Sequence, residues 1–77
     1  MTPNQPKPDV PAEVRAEMAR RGWSVRELAD RTGITHVTLS RRLGGDGNLT
    51  IPELEAICGA FGISVSTLVA RAEAVAA

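Results

Sequence analysis

One six-residue phrase recurs four times along the chain: an apolar residue, Ser or Thr, two variable residues, Glu or Thr, and Leu. The copies are Trp23-Ser24-Val25-Arg26-Glu27-Leu28, Ile34-Thr35-His36-Val37-Thr38-Leu39, Leu49-Thr50-Ile51-Pro52-Glu53-Leu54 and Ile63-Ser64-Val65-Ser66-Thr67-Leu68. Each copy reads as the start of a helix. The hydroxyl caps backbone N–H groups that the first turn leaves free, and the apolar residue before it staples onto the Leu one turn in. In two copies, Glu27 and Glu53 stand where they complete a capping box with Ser24 and Thr50.

The spacing of the caps decides the architecture. Ser24 and Thr35 are eleven residues apart with Gly33 between them, whereas the next two gaps are fifteen and fourteen. Eleven residues hold about two helical turns and a tight corner, so helices two and three must cross steeply. That is the geometry of a helix-turn-helix, and it makes nucleic acid the leading partner.

The chain is expected to be all-α: a compact bundle of five short helices, with the helix-turn-helix formed by helices two and three. Helix one starts near Pro11 and ends at Gly22, with Val10, Val14 and Met18 as its buried stripe. Helix two runs from Val25 to Thr32 with Val25, Leu28 and Ala29 inward, and Gly33 closes it. Helix three runs from His36 to Leu43 and buries Leu39 and Leu43. Gly44-Gly45-Asp46-Gly47-Asn48 is a loop without P-loop spacing or a following Lys-Ser/Thr pair, so nucleotide binding is not expected. Helix four spans Ile51 to Ala60 over Leu54, Ile57, Cys58 and Phe61, and helix five starts at Val65 with Leu68, Val69 and Ala72 inward. Residues 1–9, with Pro3, Pro6 and Pro8, read as a disordered arm ahead of one domain over 10–77. The arm either reaches a DNA groove through Lys7 or is an inert tail.

Composition removes several function classes. Seventy-seven residues make one domain with a small core. No apolar run approaches the roughly 18 residues of a membrane helix, and the N-terminus lacks the layout of a secretory signal. With one cysteine, Cys58, and one histidine, His36, neither an intrachain disulfide nor a metal site is expected, and Cys58 reads as a small core residue. Catalysis is not expected either: the carboxylates fall at caps and exposed faces, and no nucleophile has a base beside it. No cofactor, small-molecule ligand or membrane partner is indicated, and a soluble cytoplasmic protein is expected.

Formal net charge is zero, which at first argues against a DNA partner. The distribution argues for one. From Arg20 to Arg42 six arginines (Arg20, Arg21, Arg26, Arg31, Arg41, Arg42) face only Glu27 and Asp30, while from Leu43 onward Arg71 faces Asp46, Glu53, Glu55 and Glu73. One end of the molecule is expected to be positive and the other negative, which orients it in a phosphate field.

With these residues laid out, the chain resembles the lambda-repressor-like family, the Cro/repressor or xenobiotic-response-element class of helix-turn-helix. The resemblance covers about residues 10–72 and centres on Leu28-Ala29-Asp30-Arg31-Thr32-Gly33-Ile34-Thr35-His36-Val37-Thr38-Leu39-Ser40-Arg41. Ile51-Pro52-Glu53-Leu54 and Phe61-Gly62-Ile63-Ser64 match the family's fourth helix and its junction with the fifth. The resemblance implies a sequence-specific double-stranded DNA-binding transcriptional regulator in the cytoplasm of a bacterial or phage-infected cell. With no room for a ligand-sensing domain, it implies a small Cro-like phage or prophage repressor.

By position, His36, Val37, Ser40 and Arg41 are then the base contacts of helix three in the major groove. Arg41 can grip guanine through O6 and N7, Val37 can pack a thymine methyl, and His36 can donate to an acceptor edge. Phosphate contacts fall to Ser24, Val25 and Arg26 at the start of helix two. Thr35, Thr38 and Arg42 supply others on helix three, and Asn48 and Thr50 at the approach to helix four. Arg20, Arg21 and Arg31 either stay solvated or pair with Glu17 or Glu27.

Three departures from the family stand out. Val25 occupies the place of a phosphate-holding Gln, leaving that contact to backbone N–H groups or Arg26. Met18 and Leu43 replace an Arg–Glu pair with an apolar one, a change that costs a fold little. Gly44-Gly45 replaces Asn-Gly.

The resemblance further implies a homodimer on DNA, with half-sites about one helical turn apart. The apolar end Ala74-Val75-Ala76-Ala77 is either its interface or a frayed terminus. The alternative function is a protein-binding helix-turn-helix module such as an antitoxin or adaptor. Zero net charge and the missing Gln favour it; the polar face of helix three, with no large apolar residue beyond Val37, disfavours it.

Overall fold

The computed structural model describes residues 8–44 and 48–76. They form five helices and, among these residues, no strand: α1 (Val10–Arg21), α2 (Val25–Thr32), α3 (His36–Leu43), α4 (Ile51–Phe61) and α5 (Val65–Ala76). Helix four extends one residue past its expected end. Most of the proposed arm, including Lys7, and residues 45–47 of the glycine-rich loop lie outside the described residues. The arm's last residue belongs to the fold, because the Asp9 carboxylate accepts from the N–H of Ala12 and caps α1.

All four hydroxyl caps form. Ser24, Thr35, Thr50 and Ser64 accept from the N–H of Glu27, Thr38, Glu53 and Thr67 at 3.1, 3.3, 3.2 and 3.0 Å. The reciprocal half of the capping box is made at Thr50, whose N–H donates to Glu53 at 2.9 Å. At Ser24 the expected box is a single cap, and the Glu27 carboxylate accepts instead from Arg31 one turn on, at 2.7 Å.

Helix ends are closed as economically as the starts. After α1 the N–H of Gly22 donates to Ala19 and that of Trp23 to Met18; after α4, Gly62 and Ile63 repeat the pattern on Gly59 and Cys58. Both glycines sit at positive φ (68° and 72°), where a side chain would strain the backbone. Three residues therefore carry the chain from the end of one helix to the start of the next, and the steep crossings follow.

The Leu of every phrase is buried: Leu28, Leu39, Leu54 and Leu68 join Val14, Met18, Leu43, Ile57, Cys58 and Phe61 in one core. The stapling residues Trp23, Ile34, Leu49 and Ile63 pack on its edge. Met18 and Leu43 both belong to this core, and Arg15 adds a guanidinium hydrogen bond to the Leu43 carbonyl at the end of α3.

The carboxylates depart from expectation. Glu13 and Glu17, expected on an exposed face, are 5% and 6% exposed. Glu17 accepts from Arg20 (2.6 Å), Arg21 (2.7 Å) and, across 54 residues, Arg71 of α5 (3.1 Å). Arg20 also reaches Glu13 at 3.3 Å, and Arg21 donates to the Phe61 carbonyl at 2.6 Å. An ionic cluster thus ties α1 to α4 and α5. Beside it lies an open groove of about 350 Å³ between α1 and α5, bordered by Asp9, Ala12, Ala16, Ala72, Val75 and Ala76.

Candidate nucleic-acid interface

Helix α3 has two faces of different character. Leu39 and Leu43 anchor it to the core, which turns His36, Val37, Ser40 and Arg41 outward. These four form one stripe, since residues four apart stack on the same side of a helix. Val37 is 65% exposed, a large apolar side chain left on the surface. The four base-contact candidates are therefore brought together on one accessible surface.

The phosphate candidates divide. Ser24, Arg26, Thr35, Asn48 and Thr50 are exposed. Val25 is half-buried and packed on the core, so what it offers outward is the N–H of a helix N-terminus, not its side chain. Thr38 is half-buried and its hydroxyl accepts from that of Thr35 at 2.9 Å, within the cap of α3. Arg42 turns toward α4: its Nε lies 3.1 Å and its Nη2 3.5 Å from the two oxygens of Glu53. The backbone N–H of Thr50 and the Arg42 guanidinium hold the Glu53 carboxyl below the usual carboxylate range.

The arginine-rich stretch is less positive than its sequence implied. Arg20 and Arg21 are committed to Glu13 and Glu17, Arg31 to Glu27, and Arg42 to Glu53. Among the described residues, Arg26 and Arg41 are the arginines with neither an ion pair nor a hydrogen bond. Arg31 also sits over Trp23, its guanidinium carbon 4.2 Å from the ring centroid, and Trp23 stacks on Phe61 at 5.4 Å. Sequence reasoning placed Trp23 as a staple and missed this second role. The available signal was a lone aromatic eight residues ahead of an Arg, which is too weak to act on. Cys58 is buried, and burial pushes its thiol up. Among the described residues, no group of His, Cys, Asp and Glu is placed to hold a metal ion and no single helix is long and apolar enough to cross a membrane.

Five short helices, a three-residue corner between α2 and α3, and an outward polar stripe on α3 together define a helix-turn-helix domain. The sequence pattern of the Cro/C1-type helix-turn-helix DNA-binding domain matches residues 13–73. The chain belongs to that lambda-repressor-like family and is a DNA-binding domain of its type. No curated protein and no solved structure matches the chain.

Proposed function

We propose that the protein is a sequence-specific double-stranded DNA-binding transcriptional regulator, a small Cro-like phage or prophage repressor acting in the bacterial cytoplasm without cofactor or catalytic step. Helix α3 enters the major groove and presents His36, Val37, Ser40 and Arg41 to base edges. Ser24, the N–H of Val25, Arg26, Thr35, Thr38, Asn48 and Thr50 meet the phosphates, several of them at helix N-termini that favour anions. The observation that carries this reading is Arg41: among the described residues it has no ion pair or hydrogen bond on the exposed stripe of α3, while most neighbouring arginines are neutralised. Two copies bind adjacent half-sites, and the end of α5, where Val75 is 80% exposed, is the surface through which they touch.

Internal neutralisation of Arg20, Arg21, Arg31 and Arg42 also favours a second reading, a protein-binding module such as an antitoxin or adaptor. Selection of duplexes from a random pool separates the two. A DNA regulator enriches a palindromic site and loses affinity as salt rises; a protein-binding module enriches nothing. Arg41→Ala should then relax preference at one base pair and cost about 1–3 kcal/mol of binding. Unaltered discrimination by the folded variant would remove Arg41 from the reading surface.

A further inference from the structure

Arg42 follows Arg41 on α3, and the two point about 100° apart around the helix. Arg41 faces outward; Arg42 faces the start of α4 and forks onto Glu53. The acceptor is held in place beforehand, because Glu53 accepts from the N–H of Thr50 at 2.9 Å and returns its own N–H to Thr50 Oγ1 at 3.2 Å. The pair is also partly withdrawn from water, with side-chain exposures of 32% and 18%. The rest of α3 is held by apolar contacts through Leu39 and Leu43, which leave its rotation freer than a two-point fork with fixed directions does, and by the single Arg15 hydrogen bond to the carbonyl of Leu43 at its last residue.

Drawing Arg42 onto a phosphate would leave Glu53 without its cation and set its carboxylate near the incoming negative charge, and both effects oppose the exchange. Resting on the DNA-binding reading above, we propose that Arg42 is a positioning residue. Its fork onto Glu53 fixes the rotation of α3 against the capped start of α4, and so aims the stripe His36-Val37-Ser40-Arg41 at the bases, without itself gripping the backbone.

The test uses the full chain, a duplex selected from a random pool and a scrambled duplex of the same length, each titrated across a salt series. A phosphate contact contributes about 0.9 to the log–log salt slope; a positioning residue contributes nothing to it. Arg42→Ala is expected to lower affinity for the selected duplex several-fold, with an unchanged slope and a reduced ratio of selected to scrambled binding. Glu53→Gln, which keeps the cap on Thr50, should move the ratio the same way. A merely destabilising substitution scales both duplexes by the same folded fraction and leaves that ratio alone.

The proposal is overturned if Arg42→Ala flattens the slope by about 0.9, or leaves affinity and ratio untouched. It is equally overturned if Glu53→Gln tightens binding and steepens the slope, as release of Arg42 to a phosphate would. Failure to select any duplex removes the DNA reading itself, and this inference with it.

Discussion

Removing the carboxylate of Glu17 should destabilise the domain more than any other single charge deletion on α1, and the amount follows from its partners. Glu17→Ala takes away the acceptor of three charge-assisted hydrogen bonds, from Arg20, Arg21 and Arg71. Breaking a fully buried pair costs about 3–5 kcal/mol, and an exposed pair about 0–1. Glu17 itself is buried, but its partners are 54%, 32% and 43% exposed, so the stranded cations can rehydrate. Arg20 keeps Glu13 and Arg21 keeps the Phe61 carbonyl, which leaves Arg71 as the residue that loses its one partner among the described residues. A cost of about 2 kcal/mol results, between the two limits. For a domain of this size each kcal/mol moves Tm by about 4–8 °C, so melts followed by circular dichroism should drop by about 8–16 °C.

The pH dependence is a second readout of the same group. The hydrogen bond from Arg21, followed by that from Arg20, holds the Glu17 carboxyl below its usual range against the opposing effect of burial. A carboxyl with a depressed folded pKa binds fewer protons folded than unfolded. Its stabilisation is therefore complete above the ordinary carboxylate pKa of about 4.3 and is lost as pH falls through the lower folded value. Glu17→Gln should flatten that part of the acid limb. Glu17→Leu, which fills the site without a charge, should cost less than Glu17→Ala, since apolar replacement of a buried ion pair is often close to neutral. A Glu17→Ala melt within 2 °C of the parent, taken as about 0.5 kcal/mol or less, would refute the cluster as a tie between α1 and α5.

Three further outcomes are expected. Leu39→Ala, at a fully buried site on α3, should lose about 2–5 kcal/mol in urea unfolding, and DNA binding only through loss of folded protein. Two glycines should respond to alanine with opposite signs: Gly33→Ala is strained at φ +77° and should cost about 1–2 kcal/mol, while Gly59→Ala, inside α4 with open space at its Cβ, should gain about 0.5–1 kcal/mol. Thermal melts check the signs directly. Val75→Glu at the exposed end of α5 should reduce cooperative binding to a two-half-site duplex and spare a single half-site; undiminished cooperativity would move the dimer contact elsewhere.

Local chemistry made the helices legible. Each hydroxyl cap, the turn glycines and the four buried leucines are decided within about six residues, and the helix starts at Val25, His36, Ile51 and Val65 follow from them. The exposed stripe of α3 was legible for the same reason, because burial of Leu39 and Leu43 determines what faces out. What escaped was set by distant partners. Nothing near Glu13 or Glu17 shows that α5 will cover them, since Arg71 arrives from 54 residues away. Arg42 and Glu53 are joined across the loop between α3 and α4, a pairing that a reading of α3 alone does not show.

The groove between α1 and α5 has a topological consequence. Asp9, which caps the first helix, and Ala76, which ends the last, border the same depression, so the two ends of the helical chain are neighbours. A short linker could join them, and new termini could be opened between α3 and α4 without cutting a helix. Such a circular permutant would bring α4 and α5 ahead of α1 in chain order while every packed face stayed where it is. The Arg42–Glu53 fork would then hold together the two new ends of the chain, turning what is now a tie across a loop into a latch between termini.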